Sequence, residues 1–228
     1  MKTVAMQNTT LTKTIKSFKK AFITGADSNT EWMLPWFFEN YKKHNKTPIL
    51  LANFGLKNPK KYKKYVHAII DMTHIQEEGW FKKPKAIIYS PAEMTVWIDT
   101  DCEVLKPIDD IFDRLEPNKL NMVKDKPWSK RFGMEMYNSG IVGVIKKPNI
   151  LYDWAKQVQE NPARGDQETL AQMLDDPLKT LTYINPIPNE YNWLRVQVAN
   201  DGQNSPHKKV MHWTGAKGKD KIKEKMSA

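Results

Sequence analysis

The sequence predicts an α/β protein whose central sheet is parallel at the front of the chain and mixed further on. Residues 20–55 alternate strand, helix and strand, which is typical of a parallel sheet with crossover helices. The apolar run "MTVWI" (94–98) predicts another strand, and it ends at two aspartates. Residues 119–147 are rich in strands without a long helix, which indicates that antiparallel strands join the sheet.

The first elements follow from hydrophobic spacing and turn residues. "KAFITGAD" (20–27) predicts a buried strand that ends in a Gly/Asp turn. Residues 28–45 carry apolar side chains at helical spacing, with Pro35 in the first turn, where proline is tolerated. "TPILLANFG" (47–55) predicts the second strand.

A second helix is predicted before residue 80, because apolar side chains share one face while the neighbouring lysines lie mostly off it. That apolar face comprises Tyr62, Tyr65, Val66, Ile69 and Ile70. "WFKKPKAIIYSP" (80–91) predicts a short helix just ahead of the strand 94–98.

The second half of the chain continues the alternation. We predict a short helix over 107–115, strands over 119–125 and 137–147, and helices over 149–160 and 165–174. We expect three parts: a polar leader (1–19), a single domain (20–215) and a loosely attached basic tail (216–228).

Composition indicates a folded protein of a reducing compartment. Of the 228 residues 40% are hydrophobic, with eight each of Trp, Tyr and Phe, which excludes a disordered chain. The single cysteine, Cys102, cannot form an internal disulfide, and we expect a packed thiol. No apolar run approaches the about 18 residues of a membrane span, and the start lacks a secretion signal. We expect a soluble protein of the cytoplasm, or of the host cytoplasm if the source is viral.

The net charge of +10 comes mainly from lysine. Five lysines lie within 57–64 and seven between Ser205 and the end of the chain. Lysine is a mobile point charge, which suits a diffuse polyanion better than bidentate reading of guanine edges. Two interpretations stay open: a solvated lysine face, or a surface for a phosphate-rich partner.

Carboxylates follow three predicted strands at the same end of the sheet. Asp27 follows the first strand, Asp99 and Asp101 follow the strand 94–98, and Asp125 ends the strand 119–125. Ligands of an open parallel sheet collect beyond the carboxyl ends of its strands. We therefore expect these aspartates at one rim.

The pair Asp99 and Asp101, separated only by Thr100, has the chemistry of a metal site. Burying two unpaired carboxylates is costly, and a hard divalent cation with oxygen ligands removes that cost. A cation held by few side chains keeps open positions for diphosphate oxygens, as Mg²⁺ and Mn²⁺ do with nucleotide substrates.

Three further motifs follow in chain order: "NSG" (138–140) in a strand, "DQ" (166–167) at a helix start and "HWTG" (212–215) near the C-terminus. With the Asp-x-Asp strand end, their order and spacing over 20–215 resemble the family 8 glycosyltransferases, which include glycogenin and bacterial lipooligosaccharide galactosyltransferases. The resemblance implies the GT-A fold, a Rossmann-like α/β fold that binds nucleotide diphospho-sugars on a mixed sheet flanked by helices. It also implies Mn²⁺- or Mg²⁺-dependent transfer of a hexose from a nucleoside diphosphate donor, which we predict to be a UDP-sugar.

The resemblance also implies a role for each matched residue. The metal ligands would be Asp99, Asp101 and His212. Asp166 would hydrogen-bond sugar hydroxyls, and Gln167 would lie on the face where the bond breaks. The remaining substrate-binding residues would be Asp27, Thr100, Asn138, Ser139, Gly140 and Gly215, with Lys82, Lys83 or Lys85 and Lys217 or Lys219 neutralising phosphate.

The C-terminal motif departs from the family pattern His-x-x-Gly-x-x-Lys. "HWTGAKGK" places Lys217 one residue short of that spacing and Lys219 one residue beyond it, and Pro-Trp does not follow. The chain also lacks the common membrane-associating C-terminal region of the family, which favours a soluble acceptor.

The resemblance implies retention of the anomeric configuration, with the departing phosphate oxygen taking the acceptor proton. Asp125 and Asp166 are candidate bases if the enzyme inverts instead. Three acceptor classes stay open: a hydroxymethylated DNA base, a glycan and a protein side chain. The lysines favour the DNA base, which would have to be flipped out of the duplex.

Two other functions fit parts of the sequence. A haloacid-dehalogenase-type phosphotransferase also ends a strand in Asp-x-Asp, but usually on its first strand. A non-catalytic nucleic-acid-binding protein explains the lysines but leaves Asp99 and Asp101 without a role.

Overall fold

A computed structural model describes residues 17–227, so most of the predicted leader (1–19) lies outside the described residues. A seven-stranded sheet forms the centre of this part of the chain. Its strands are β1 (Phe18–Ala26), β2 (Ile49–Asn53), β3 (Ala68–Asp71), β4 (Ala92–Ile98), β6 (Leu120–Lys124), β7 (Tyr137–Ile145) and β8 (Ile184–Ile187).

The sheet is mixed, as the sequence predicts. Its strand order is β3-β2-β1-β4-β7-β6-β8, and β7 runs antiparallel to both of its neighbours while the other pairs are parallel. Ile98 pairs with Ile141, and beyond this pair Asp99 donates its backbone N–H to the Gly140 carbonyl at 2.9 Å. The end of β4 therefore lies against the "NSG" motif in β7.

A small second sheet brings the C-terminal histidine to the aspartates. It consists of β5 (Cys102–Val104), β10 (Val210–His212) and β9 (Trp193–Leu194), in the order β5-β10-β9. In the antiparallel pair of β5 and β10, His212 is opposite Cys102. A residue 110 positions further along the chain than Cys102 thus reaches the turn after β4.

Helices cover both faces of the central sheet. Helix α1 packs on one face with the aromatic side chains of Phe22 and Tyr41, whereas α2 and α4 pack on the other around Trp154. The helices are α1 (Leu34–His44), α2 (Lys83–Tyr89), α3 (Lys126–Phe132), α4 (Asn149–Glu160), α5 (Asp166–Met173), α6 (Pro177–Tyr183), α7 (Arg195–Asp201) and α8 (Gly215–Ser227).

The predicted helix with an apolar face from Tyr62 to Ile70 is wrong. The segment forms a single 3₁₀ turn, Pro59–Tyr62, and then β3, in which Ile69 pairs with Leu51 of β2. Val66, Ile69 and Ile70 are β-branched, and an open edge next to β2 outweighs their helical spacing.

The basic segment after Gly215, expected to be loosely attached, forms helix α8. Ile222 is fully buried against the core. Lys225 donates to Glu103 of β5 at 3.0 Å, and Trp213 donates to the other oxygen of Glu103 at 2.9 Å. Lysines alternate with a few packed positions in this segment, so it forms an amphipathic helix.

Among the described residues, none of the helices combines the length and apolarity that crossing a bilayer requires.

Candidate functional site

Two aspartates and a histidine meet beyond the end of β4. The Nε2 atom of His212 lies 3.1 Å from Asp101 Oδ1 and 3.8 Å from Asp99 Oδ2. The three side chains that the resemblance implied as metal ligands are therefore brought together, although the histidine comes from the other sheet.

Buried neighbours fix the orientation of the His212 ring. Its Nδ1 atom is 3.0 Å from Asn192 Oδ1, an acceptor, so Nδ1 carries a proton and Nε2 faces the carboxylates. A protonated Nε2 donates to Asp101, and loss of that proton frees its lone pair for a cation. Burial opposes the charged imidazole, but Asp101 and Asp99 outweigh it and raise the pKa of His212. Burial likewise opposes ionisation of Asp101, but His212 outweighs it and lowers the pKa of that carboxyl.

The glycine of the "NSG" motif is required by this histidine. A Cβ atom built on Gly140 would lie 2.3 Å from His212 Cε1 and 2.5 Å from Nδ1. The ring therefore rests directly on the β7 backbone, which a side chain at residue 140 would prevent.

The ligand set suits a hard cation. The ligand atoms of Asp101, Cys102 and His212 lie within 4.8 Å of one another, so the thiol is also near. Burial, reinforced by the neighbouring carboxylates, raises the pKa of Cys102 well above its usual value, which keeps the thiol protonated and a poor ligand. Two carboxylates and an imidazole match Mn²⁺ or Mg²⁺ better than a thiolate metal, and Cys102 is packed, as expected.

A buried lysine links the candidate metal site formed by Asp99, Asp101 and His212, called the metal site below, to the "DQ" motif. Lys83 Nζ lies 3.2 Å from Asp99 Oδ1 and 3.0 Å from Asp166 Oδ2, and it donates to the Ser139 carbonyl at 2.9 Å. Burial disfavours the ammonium, but the carboxylates of Asp166 and Asp99 outweigh burial and raise the pKa of Lys83. The lysine stays charged and holds both aspartates.

Of the three lysines proposed ahead of β4, only Lys83 joins this site. The ammonium of Lys82 contacts the Phe54 carbonyl at 3.4 Å, and Lys85 is ion-paired with Glu77. The helical turn at 82–85 directs the three side chains apart, so the phosphate role predicted for Lys82 and Lys85 is not supported by their contacts.

The "NSG" and "DQ" motifs are joined by hydrogen bonds between amides. Gln167 Oε1 accepts from Asn138 Nδ2 at 3.0 Å and from the Ser139 backbone N–H at 3.3 Å. Asn138 Oδ1 accepts from Asn192 Nδ2 at 2.8 Å, and Asn192 in turn orients His212. One chain of contacts thus runs from the metal site to Gln167.

Asp125 belongs to the same hydrogen-bond network but is shielded from solvent. The carboxylate is fully buried: Oδ1 caps α3 by accepting the Trp128 backbone N–H at 3.1 Å, and Oδ2 accepts from Asn138 and Gln167. A base must reach the substrate hydroxyl. These contacts do not support the predicted catalytic role of Asp125, and they suit a side chain that positions Asn138 and Gln167.

A cavity of about 240 Å³ lies on the β1 side of the metal site. Asp27, Thr100 and Lys219 are among its lining residues, and a stacked pair of rings, Phe54 and Trp97, forms part of its wall with centroids 6.2 Å apart. Asp27 Oδ1 accepts from the Thr30 hydroxyl and backbone N–H, which fixes the turn after β1. The position and chemistry suit a nucleoside.

The two predicted C-terminal lysines differ in placement. Lys219 Nζ lies 3.9 Å from Asp101 Oδ2, whereas Lys217 is exposed and does not line the cavities next to the metal site. Residues two apart project to nearly opposite sides of a helix, which explains the difference. Between them, Gly218 packs so tightly that a Cβ atom would lie 2.0 Å from the Trp213 carbonyl oxygen.

A second cavity, of about 300 Å³, lies on the other side of the metal site. Two tryptophans, Trp80 and Trp128, are at its rim. Its floor includes Asp99, Asp101, Asn138, Ser139, Gly140, Asp166, Gln167, His212 and Gly215. The residues predicted for metal and sugar thus line one cavity.

Sequence reasoning missed Asn192, which is fully buried and bonds both Asn138 and His212. The local sequence "PNEYNW" does not indicate a functional role for this asparagine, because its contacts depend on β9 lying beside β10. Lys83 was one of three equivalent candidates, and only the register of α2 singles it out.

Solved structures of sugar-transferring enzymes share this architecture. The glycosyltransferase GlyE of Streptococcus pneumoniae TIGR4 gives a TM-score of 0.64 at 17% identity, over 87% of this chain and 55% of its own. The galactosyltransferase LgtC, solved with donor and acceptor sugar analogues, gives 0.59 at 14% identity, over 90% and 94%. The bifunctional glycosyltransferase WbbM gives 0.59 at 13% identity, over 90% and 47%.

These likenesses confirm the predicted GT-A fold and the resemblance on which it rested. The chain spans about 55% of the length of GlyE. No protein-family profile matches the sequence, and no curated protein matches it. At such identities the likeness shows the fold alone.

Proposed function

We propose that this protein is a glycosyltransferase that moves a hexose from a nucleoside diphosphate donor to an acceptor hydroxyl. The proposed donor is a UDP-hexose. Asp99, Asp101 and His212 would hold the Mn²⁺ or Mg²⁺. The observation that carries the proposal is the convergence of these three side chains between two cavities, with Lys83 joining Asp99 to Asp166.

The donor would lie across the metal site. Its nucleoside would occupy the cavity beside Asp27 and Trp97, and its hexose the cavity beside Asp166 and Gln167. A bound cation would neutralise the charge that develops on the leaving diphosphate. The Lys219 ammonium, 3.9 Å from Asp101, is close enough to add a second positive charge there.

The transfer breaks the bond between the anomeric carbon and the phosphate oxygen and forms a bond from that carbon to the acceptor oxygen. The acceptor proton passes to the departing phosphate oxygen, so the products are a glycoside and a nucleoside diphosphate. We propose retention of configuration on this basis. Asp166, whose carboxylate is paired with Lys83, orients sugar hydroxyls, and Gln167 presents its amide beside the reacting carbon.

Release of nucleotide from UDP- and GDP-sugars in the presence of Mn²⁺ tests the proposal. We expect slow hydrolysis without acceptor, abolished by chelator and by Asp101→Asn, and unchanged in Asp113→Asn, an exposed aspartate outside the site. Failure of every donor to turn over or bind would refute sugar transfer. An acid-labile phosphate trapped on Asp99 would instead support the phosphotransferase alternative.

The acceptor suggested by net charge is a hydroxymethylated base in DNA, and a glycan or a protein side chain are the alternatives. Adding duplex DNA with and without hydroxymethylcytosine, an oligosaccharide or a peptide to the same assay shows which class accelerates turnover. Equal rates with all of them would count against DNA. Binding to DNA that is independent of metal and steeply dependent on salt, without turnover, would favour a non-catalytic role.

A further inference from the structure

The positive charge of the chain is concentrated in one segment. Residues 40–70 contain eight lysines and no Asp or Glu, so the rest of the chain adds little to the net charge of +10. All eight are exposed, at the end of α1 and in the segments that flank β2 and lead to the edge strand β3. We call them the α1–β3 lysine surface; its members are Lys42, Lys43, Lys46, Lys57, Lys60, Lys61, Lys63 and Lys64.

Carboxylates do not balance this surface. In the part of the chain that the structure describes, none of the eight lysines forms an ion pair with an Asp or Glu. By contrast, the exposed Lys156, Lys179 and Lys223 each pair with an acid three or four residues away. Like charges without counter-charges repel one another, and an anionic partner removes that repulsion.

An aromatic ring holds two of the lysines side by side. The ammonium groups of Lys42 and Lys64 lie 4.9 Å and 4.8 Å from the centroid of the Tyr65 ring, and Lys42 donates to the Lys64 carbonyl at 2.8 Å. The Tyr65 ring in turn stacks on the buried Phe38 of α1, with centroids 5.3 Å apart. Two cations are thus ordered before any ligand arrives, which lowers the entropy cost of binding an anion.

The exposed side chains of the surface indicate which polyanion fits. Between residues 42 and 64 they are the eight lysines and Asn58 alone. Single-stranded nucleic acid stacks on exposed aromatic rings and a membrane takes up exposed apolar side chains, and this segment exposes neither. RNA is read through 2′-hydroxyls and splayed bases, for which only Asn58 is available. Lysines that contact phosphates suit the dense, regular backbone of duplex DNA.

We propose that the α1–β3 lysine surface docks on the phosphate backbone of duplex DNA without reading its sequence. None of the eight lysines lines the two cavities next to the metal site, so the docked backbone lies outside those cavities. Each lysine that contacts a phosphate releases a counter-ion, so binding weakens steeply with salt. This inference goes beyond the sugar transfer proposed above and does not depend on it.

Fluorescence anisotropy of a labelled DNA duplex of about 20 base pairs tests the proposal, with EDTA present and KCl varied between about 50 and 200 mM. For the unchanged protein we expect log affinity to fall with log salt at a slope of about −3 to −7, independently of base sequence. The triple variant Lys43→Gln, Lys60→Gln and Lys63→Gln should bind about 10- to 100-fold more weakly, with a slope shallower by about 3.

The matched control removes three exposed positive charges elsewhere, by Lys156→Gln, Lys179→Gln and Lys223→Gln. It should keep the affinity within about twofold and leave the slope unchanged. Arginine in place of the three glutamines of the test variant restores the charge and should restore binding. Urea unfolding of each variant reports the fold separately, and donor hydrolysis without acceptor, which reports sugar transfer, should be the same in all of them.

Several results would overturn the inference: no binding at the lowest salt, an affinity that does not depend on salt, or equal weakening in the test and control variants. Tighter binding to phosphatidylglycerol vesicles, heparin, single-stranded DNA or an RNA duplex, compared at equal negative charge, would also overturn it. Loss of donor hydrolysis in the unchanged protein would refute sugar transfer and leave the DNA-binding result as it stands.

Discussion

Gly140 and His212 are in such close contact that a Cβ atom on the glycine would lie 2.3 Å from the histidine ring. We expect Gly140→Ala to push His212 away from Asp101 and to weaken Mn²⁺ binding about 10- to 100-fold, as loss of ligand support does elsewhere. Overpacking should also cost about 1–3 kcal/mol of unfolding free energy. Calorimetric Mn²⁺ titration and urea unfolding measure the two effects.

Gly143→Ala is the matched control for that experiment. It lies on the same strand, and its Cβ would meet the Leu115 side chain at 2.4 Å, far from the aspartates. We expect a comparable loss of stability with unchanged Mn²⁺ affinity. Equal metal affinity in both alanine variants would contradict the assignment of His212 as a ligand.

Lys83→Met should destabilise the protein by about 3–5 kcal/mol, because it leaves Asp99 and Asp166 without their buried cation. Adding Asp166→Asn should recover part of the loss, since one of the two carboxylates is then neutral. Urea unfolding of the single and double variants gives the coupling. A single variant as stable as the wild type would show that the pair is not formed.

Lys219→Ala should raise the KM for the UDP-sugar about tenfold, because its ammonium lies beside Asp101 and lines the cavity proposed for the nucleoside. Lys217→Ala, at an exposed position two residues earlier, should leave KM unchanged. Initial rates across donor concentrations compare the two variants. The same KM in both would mean that α8 does not contact the diphosphate.

Burial lowers the pKa of Lys147 to about 8. Its ammonium donates to the Thr95 hydroxyl at 3.1 Å and to the Ala92 carbonyl at 3.3 Å. Between pH 8 and the ordinary lysine value of 10.5 the unfolded chain binds more protons, so this residue makes stability rise with pH there.

Lys147→Met should therefore stabilise the protein at neutral pH by at most about 3 kcal/mol and should flatten the rise between pH 8 and 10.5. Chemical unfolding at several pH values measures both. Loss of stability at pH 7, or an unchanged slope, would show that the charged ammonium is well solvated.

The sequence predicts the parts of the fold that depend on local pattern. The strand before Asp99, helix α4 over Asn149–Glu160 and helix α5 at the "DQ" motif occur where periodicity placed them. The segment from Tyr62 to Ile70 does not form the predicted helix. Its apolar spacing is compatible with a helix and with an edge strand, and pairing with β2 favours the strand.

The site could be predicted only as far as each side chain follows a motif. Asp99, Asp101 and His212 were identifiable by type and order, but Asn192 and the choice of Lys83 over Lys82 depend on which strands and helices become neighbours. Asp125 also follows a strand, yet its position in the sequence did not predict its contacts. Its carboxylate accepts from the backbone at the start of α3 and from the side-chain amides of Asn138 and Gln167.

Helix α8 is anchored by Ile222 and by the close approach of Gly218 to Trp213. Lys219, which we propose to bind the donor phosphates, is therefore already docked and needs no disorder-to-order transition when the nucleotide arrives. Donor association should then follow a single fast phase with a small heat-capacity change, in contrast to enzymes that fold a flap over their substrate.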